Sequence, residues 1–253
     1  MDAISFGTDG WRATLDEFTS ERVRIVAQGT ADYLADAGHA GETVAVGYDA
    51  RATSRGFAED AADVLATNGF DVLLPERDCP TPAVSHAIVE RDLAGALVIT
   101  ASHNPPEYNG VKFVPEDGAS ALPEVTEGIV ANLAEPVDGE QTGEIREVDF
   151  AGPHVAHCRD LVGADLSGLT VVYDAMHGSG RGVTDDALEA AGADVIRRRC
   201  ERDEAFGGTP PEPTPEHLAD LADAVREHDA DLGVANDGDA DRVAAVTPER
   251  GVL

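Results

Sequence analysis

The sequence has few cationic residues and few cysteines. Its 253 residues include 49 Asp and Glu but only 18 Lys and Arg, which gives a formal net charge of −31 at pH 7. A protein this negative repels nucleic acid and anionic membranes, so we expect neither as a partner. Its three cysteines, Cys79, Cys158 and Cys200, are widely spaced and odd in number, which excludes a disulfide framework and a cysteine-cluster zinc site.

Long apolar runs are also missing. The longest, residues 94–101, has the length of a strand and falls well short of the roughly 18 apolar residues that indicate a membrane span. The first residues show no basic region followed by an apolar stretch, so no secretory signal is predicted. Because 42% of the residues are apolar and recur periodically, disorder is excluded. The sequence predicts a globular, cytoplasmic protein.

Lysine is the scarcest charged residue. Lys112 is the only one, and all other cationic side chains are arginines. The strong acidity should destabilise a compact fold by self-repulsion unless salt screens it, and at about 1 M salt the Debye length falls to roughly 3 Å. Acidity combined with so little lysine predicts a salt-adapted protein from the cytosol of a halophile.

Helical and strand patterns alternate along the chain. The first run predicts helices at 21–36, 56–68 and 82–91 and strands at 43–48, 70–74 and 94–100. The second run predicts helices at 150–162, 183–191 and 216–227 and strands at 169–173, 193–197, 231–235 and 243–246. The polar stretch 136–143 precedes the break between the runs. We therefore predict an α/β protein of two consecutive three-layer domains with mixed, mostly parallel sheets, at residues 1–148 and 149–253.

The segment 100–113, which follows a predicted strand, is rich in functional groups. It contains Ser102, His103, Asn104 and Lys112. Two prolines stiffen it, and Asn109-Gly110 predicts a turn that returns Lys112 towards Ser102. A rigidly held serine beside a histidine and a lysine is a candidate nucleophile with proton-transfer partners. The alternative is a plain surface turn, which the same residue types also form.

The segment 236–242 also follows a predicted apolar strand and carries alternating acids, Asp237, Asp239 and Asp241. Three carboxylates that converge around Gly238 suit Mg²⁺. The spacing excludes an EF-hand, since the sixth and twelfth positions are Arg242 and Pro248. Two alternatives stay open: a chance cluster in an acidic chain, and a phosphatase with Asp237 as its nucleophile.

Two glycine-rich segments are weaker candidates for anion binding. Residues 6–12 offer Arg12 for phosphate recognition. Residues 174–182 follow a predicted strand, and a helix that began there would offer phosphate the unpaired N–H groups of its N-terminus. We interpret His177 and Arg181 in that second segment as structural.

Taken together, the segments FGTDGWR, TASHNPPEYNGVK and DGDADR, in this order and at these separations, resemble the α-D-phosphohexomutase superfamily of phosphoglucomutases and phosphomannomutases. The resemblance implies that Ser102 is phosphorylated and that Asp237, Asp239 and Asp241 hold Mg²⁺ together with a phosphoserine oxygen. It further implies that His103 and Lys112 serve acid/base chemistry and phosphate handling. Arg12, Asn104 and Arg242 would bind phosphate.

The implied reaction interconverts hexose 1-phosphate and hexose 6-phosphate through a bound hexose 1,6-bisphosphate, which also serves as the activator. A phosphoserine of about −2 charge beside three aspartates requires a cation for the two loops to approach each other. The resemblance covers only the first two of the family's usual four domains, and the motifs of the third and fourth do not occur in this sequence. We expect little turnover from these two domains alone. A magnesium-dependent phosphatase and a non-catalytic phosphate- or metal-binding fragment remain alternatives.

Overall fold

The computed structural model describes residues 4–7 and 10–253, so Thr8 and Asp9 of the predicted anion-binding segment lie outside the described residues. The chain forms two compact units. The first unit comprises residues up to Tyr48 together with Thr53–Ala101 and Glu107–Phe150. The second comprises Ala151–Leu253 together with two short excursions from the first half of the chain, Asp49–Ala52 and Ser102–Pro106.

The first unit is a six-stranded sheet with helices. Its elements are β1 (Gly10–Thr14), α1 (Ser20–Asp36), β2 (Thr43–Tyr48), α2 (Ser54–Thr67), β3 (Asp71–Pro75), α3 (Thr81–Arg91), β4 (Gly95–Ile99), β5 (Tyr108–Pro115), α4 (Pro123–Ala131) and β6 (Ile145–Val148). The strand order is β1-β5-β4-β2-β3-β6. The strands β4, β2, β3 and β6 run parallel, whereas β5 pairs antiparallel with both β1 and β4.

The sequence accounts for the regular elements of the first unit. The hydroxyl of Thr19 accepts a hydrogen bond from the backbone N–H of Arg22 and caps α1. The helix buries Val23, Val26 and Leu34 at helical spacing. Strands β2 and β4 are buried along nearly their whole length, as expected for parallel strands covered on both faces.

The second unit is a five-stranded sheet with helices. Its elements are α5 (Ala151–Val162), β7 (Thr170–Asp174), α6 (Thr184–Ala190), β8 (Asp194–Arg198), a short 3-10 helix (Phe206–Gly208), α7 (Ala219–Glu227), β9 (Leu232–Asn236), β10 (Val243–Thr247) and β11 (Gly251–Val252). The strand order is β11-β10-β9-β7-β8. Strands β9, β7 and β8 are parallel, and β10 and β11 are antiparallel.

The predicted α/β class with mixed sheets is confirmed, but the predicted turn at Asn109-Gly110 is wrong. Both residues lie inside β5, which pairs on both sides. The Asn109 amide donates to the hydroxyls of Thr53 and Ser54. A Cβ at Gly110 would lie 2.5 Å from the carbonyl oxygen of Thr100. Close packing within a sheet therefore explains this dipeptide, and Lys112 reaches its place along a strand.

Five further elements were not predicted from the sequence: β1, α4, β6, the 3-10 helix and β11. Arg12 lies on strand β1 and not in a loop. Helix α4 and strand β6 both belong to the first unit.

In the part of the chain that the structure describes, no helix has the length and apolarity needed to cross a membrane.

Candidate active site

Ser102 follows β4 in the second unit's excursion Ser102–Pro106. Its side chain is buried, and its backbone adopts the left-handed region with φ +51°. Its hydroxyl donates a hydrogen bond of 2.6 Å to Oδ2 of Asp237, and its Oγ lies 3.4 Å from Nδ1 of His103. A non-glycine residue in this conformation is strained unless its surroundings hold it, and such strain is common at functional sites.

The acidic loop follows β9 in the same unit. Asp237 and Asp239 are buried, Asp241 is exposed, and one carboxylate oxygen from each lies within 4.8 Å of the others. Burial raises the pKa of Asp237 to about 7, and the neighbouring charge of Asp239 adds to this shift. Three carboxylates this close repel one another when all are ionised, so the loop favours a bound cation.

Backbone hydrogen bonds and one close contact fix the shape of the acidic loop. The N–H of Arg242 donates to Oδ1 of Asp237, and the N–H of Ala240 donates to the Asp237 carbonyl. A Cβ at Gly238 would lie 2.6 Å from the Ser102 carbonyl oxygen. Only glycine lets the acidic loop approach the serine so closely.

Two residues that were not predicted as site residues, Asn236 and Ser179, stabilise the acidic loop by hydrogen bonds. The side chain of Asn236 accepts hydrogen bonds from the hydroxyls of Tyr173 and Thr184 and donates to the Arg242 carbonyl. Ser179 donates to the Gly238 carbonyl through its N–H and its hydroxyl. Ser179 lies in the glycine-rich segment 174–182 and Asn236 begins the acidic segment 236–242, so the sequence marked both segments but identified neither residue as part of the site.

His177 and Arg181 make backbone contacts in this same region. Nδ1 of His177 lies 3.0 Å from the Glu201 carbonyl oxygen, and the Arg181 guanidinium donates to the Gly178 carbonyl. Both side chains are largely buried. The structural interpretation of both residues stays a prediction.

The remaining predicted site residues divide between the units. The second unit brings Ser102 to Asp237 and places His103 beside Ser102. In the same unit Arg242 is exposed and Asn104 is half-buried. Arg12 and Lys112 belong to the first unit, on the paired strands β1 and β5. Lys112 is buried at 7% exposure.

Two family models match the chain. Phosphoglucomutase/phosphomannomutase, alpha/beta/alpha domain I, matches residues 3–138, and domain II of the same family matches residues 153–251. The chain belongs to the phosphoglucomutase/phosphomannomutase family. This confirms the α-D-phosphohexomutase superfamily that the sequence motifs resemble.

Curated phosphohexomutases align with nearly all of the chain. It is 38% identical over 249 residues to the probable phosphoglucosamine mutase of Methanopyrus kandleri, an alignment that covers 96% of the chain and 54% of that protein. It is 39% identical over 254 residues to the phosphoglucosamine mutase of Rhodococcus jostii, covering 95% and 55%. The chain spans about half the length of the curated relatives it matches.

A solved phosphohexomutase structure agrees with this assignment. The crystal structure of the putative phosphomannomutase from Thermus thermophilus superposes with a TM-score of 0.90 at 31% sequence identity. The superposition covers 99% of this chain and 58% of that one.

Proposed function

We propose that the chain carries the phosphoserine and metal-binding half of a magnesium-dependent phosphohexomutase. The proposed reaction interconverts hexose 1-phosphate and hexose 6-phosphate by way of phosphorylated Ser102 and a bound hexose 1,6-bisphosphate, which is also the activator. The observation that carries the proposal is the 2.6 Å hydrogen bond from the buried Ser102 hydroxyl to a member of the three-carboxylate loop. Membership of the family supplies the reaction class.

The donor set of the acidic loop fits Mg²⁺. Asp237, Asp239 and Asp241 offer hard oxygen ligands within 4.8 Å of one another, and Mg²⁺ prefers such ligands together with substrate phosphate and water. We propose that these three residues and an oxygen of Ser102 hold the ion. When bound, Mg²⁺ would neutralise charge and polarise the phosphoryl group.

The protein's own residues would position the phosphoryl group and move the proton. The rigid loop presents the Ser102 hydroxyl, which would attack one phosphoryl group of the bisphosphate and release hexose monophosphate as the leaving group. His103, whose Nδ1 lies 3.4 Å from Oγ, would take up the hydroxyl proton. Lys112 is proposed to assist in acid/base chemistry and phosphate handling. Phosphate would be bound by Arg12, Asn104 and Arg242. In phosphoryl transfer, positioning and charge neutralisation supply most of the catalysis.

Phosphorylation of Ser102 tests the reaction class. Incubation with hexose 1,6-bisphosphate and Mg²⁺ should add one phosphate, about 80 Da, to the peptide containing Ser102. The label should be stable to hydroxylamine and absent from Ser102→Ala. A hydroxylamine-labile label that persists in Ser102→Ala would instead identify a phosphatase with an aspartate nucleophile. If no residue were labelled, the result would favour a non-catalytic phosphate- or metal-binding fragment.

Replacement of Asp239 by Asn tests the metal site. The change preserves side-chain shape but removes one of three carboxylates, so Mg²⁺ affinity measured by calorimetry should fall about tenfold or more. The fold should persist because like-charge repulsion decreases. Asp32→Asn, on helix α1 of the first unit, is the matched control. Equal Mg²⁺ affinity in both variants would show that the acidic loop is only a solvated turn.

We also propose a hexose phosphate and the family's third and fourth domains as partners. Turnover requires the bisphosphate to be held by its sugar and its far phosphate, and such positioning is worth roughly 7–11 kcal/mol of barrier. The family's sugar-reading and phosphate-clamping motifs do not occur in these 253 residues. A coupled assay on the 253-residue chain should therefore show turnover orders of magnitude below about 10 s⁻¹, an ordinary enzymatic rate.

We propose, finally, that the protein works in the high-salt cytoplasm of a halophile. The support is the net charge of −31 and the use of arginine at every basic position except Lys112. The midpoint of urea unfolding should rise between about 0.1 M and 1 M KCl because salt screens the self-repulsion. A midpoint that falls with KCl would contradict the proposal.

A further inference from the structure

Arg51 is a fully buried arginine outside the predicted site. It lies just after β2, in the second unit's excursion Asp49–Ala52, and only 1% of its surface is exposed. Its Nε donates to Oδ2 of Asp49 at 3.0 Å, and its backbone N–H donates to Oδ1 of the same carboxylate at 3.1 Å. Since burying an unpaired guanidinium is very costly, Asp49 is what permits this charge inside the unit.

The rest of the guanidinium is directed at the Ser102 loop. One terminal nitrogen donates to the Pro105 carbonyl at 2.7 Å. The other donates to the Ser102 carbonyl at 2.9 Å and to the Asn104 carbonyl at 2.7 Å. A single side chain therefore binds three carbonyl groups in the four residues from Ser102 to Pro105.

Two residues from the second half of the chain hold Arg51 from other directions. The ring of Phe206 lies against the guanidinium, with 5.0 Å from Cζ to the ring centroid, a cation–π contact. The Arg202 side chain donates to the carbonyls of Ala50 and Arg51 at 3.2 and 3.4 Å. Arg51 is thus held through both its backbone and its side chain.

We propose that Arg51 is a positioning residue for phosphoryl transfer at Ser102. It binds the backbone side of the loop while Asp237 binds the hydroxyl, and together these contacts maintain the left-handed conformation of Ser102. The inference rests on the proposed function, because it assigns Arg51 a role in that same reaction.

The contacts require an arginine. The guanidinium is planar and presents five donors in a fixed fork, whereas an ammonium is a compact charge with three donors at the end of a flexible stem. Lysine at this position would keep the charge beside Asp49 but lose the fork that spans the three carbonyls. Arg51→Lys therefore tests the positioning of the Ser102 loop without changing the net charge beside Asp49.

The experiment compares Arg51→Lys with Arg199→Lys. Arg199 is a matched control because it also pairs with a buried carboxylate of the second unit, Asp174, at 2.8 and 2.7 Å. Two readouts are measured on each folded chain. The first is hydrogen exchange of peptides that span Ser102–Pro106. The second is the rate at which hexose 1,6-bisphosphate labels Ser102, as a function of bisphosphate concentration.

We expect Arg51→Lys to accelerate exchange in the Ser102 loop and to lower the maximal labelling rate by about tenfold to a hundredfold, the cost of a small misplacement of a reacting group. The half-saturating bisphosphate concentration should change much less than the maximal rate, because Arg51 is not proposed to touch substrate and acts only through the loop that carries Ser102 and Asn104. Arg199→Lys should match the unmodified chain in both readouts. A general loss of stability would instead affect both variants and both kinetic parameters.

Phe206→Leu keeps the experiment decisive if Arg51→Lys does not fold. It removes the aromatic face beneath the guanidinium but keeps an apolar side chain, so labelling should slow about two- to fivefold. The assignment of Arg51 would be overturned if a folded variant, Arg51→Lys or Phe206→Leu, showed the same hydrogen exchange in the Ser102 loop and the same maximal labelling rate as the unmodified chain. If the unmodified chain is not labelled, the proposed function fails, and faster loop exchange in Arg51→Lys alone supports the positioning of the loop.

Discussion

The largest apolar cluster of the first unit is rich in aromatic rings, whereas the second unit concentrates buried charge. The largest apolar cluster of the first unit includes Trp11, Phe18, Phe70 and Phe113, while the described members of the second unit's cluster are aliphatic or methionine. The buried charged side chains of the second unit are Asp49, Arg51, Asp174, Arg181, Asp185, Asp237 and Asp239; those of the first are Asp78 and Lys112. Apolar burial stabilises a fold, whereas buried charge needs specific partners. The contrast indicates that stability is concentrated in the first unit and chemistry in the second.

The largest effect should come from Phe18→Ala. Phe18 is fully buried, stacks on Trp11 with ring centroids 4.7 Å apart, and meets Phe57 edge-on at 5.0 Å. Its loss should lower the free energy of unfolding of the first unit by about 3–5 kcal/mol. Urea unfolding monitored by the fluorescence of Trp11, the chain's one tryptophan, reports on this unit.

Leu218→Ala is the control for Phe18→Ala. Leu218 is equally buried but belongs to the aliphatic cluster of the second unit, so it should leave the Trp11 transition nearly unchanged. If Phe18→Ala cost less than about 1 kcal/mol, the aromatic cluster would not be the main source of the first unit's stability.

The strands that carry the loops could be predicted because their residues are locally distinctive. β2 and β4 are short apolar runs bounded by polar residues, and the loop after β9 concentrates three acids. The rule that parallel strands present their carboxyl ends to ligands then marked the loops. The hydrogen bond from Ser102 to Asp237 joins residues 135 positions apart, and only the family resemblance implied that these loops approach.

Other features depend on contacts that the sequence does not display. β6 is a short polar segment whose strand geometry comes from pairing with β3. Asn109-Gly110 has the composition of a turn, but pairing on both sides places it in a strand. Arg51 reads as a surface residue in a polar turn, and its burial depends on Asp49 and on Phe206, far along the chain. Tertiary contacts override local preference at each of these positions.

The cysteines offer a smaller and pH-dependent comparison of the two units. Burial raises the pKa of Cys79 in the first unit to about 12, and it raises that of Cys200 in the second unit to about 11. Below these values the thiolate fraction, which is the reactive form, grows about tenfold for each pH unit in both cysteines. Cys200 is also partly exposed, whereas Cys79 is buried.

Alkylation with iodoacetamide at pH 8, followed by peptide mass spectrometry, should therefore modify the partly exposed Cys200 faster than the buried Cys79. Both rates should rise with pH. The unfolded chain in urea is the control, where the two rates should converge. If Cys79 reacted as fast as Cys200 in the folded chain, the first unit would open more readily than its apolar core implies.

The smallest effect should come from Arg55→Gln, which separates surface charge pairs from buried ones. Arg55 donates to Glu59 at 2.9 Å and to Glu147 at 2.7 Å, but all three side chains are about half exposed. Water screens such pairs, so the substitution should cost the first unit less than about 1 kcal/mol by Trp11 fluorescence, and less still at about 1 M KCl. Arg51 makes a carboxylate pair of the same kind with both partners almost fully buried, where removal of one partner leaves an uncompensated charge. A loss above about 2 kcal/mol for Arg55→Gln would show that exposed pairs also hold the first unit together, and the contrast between the two units would fail.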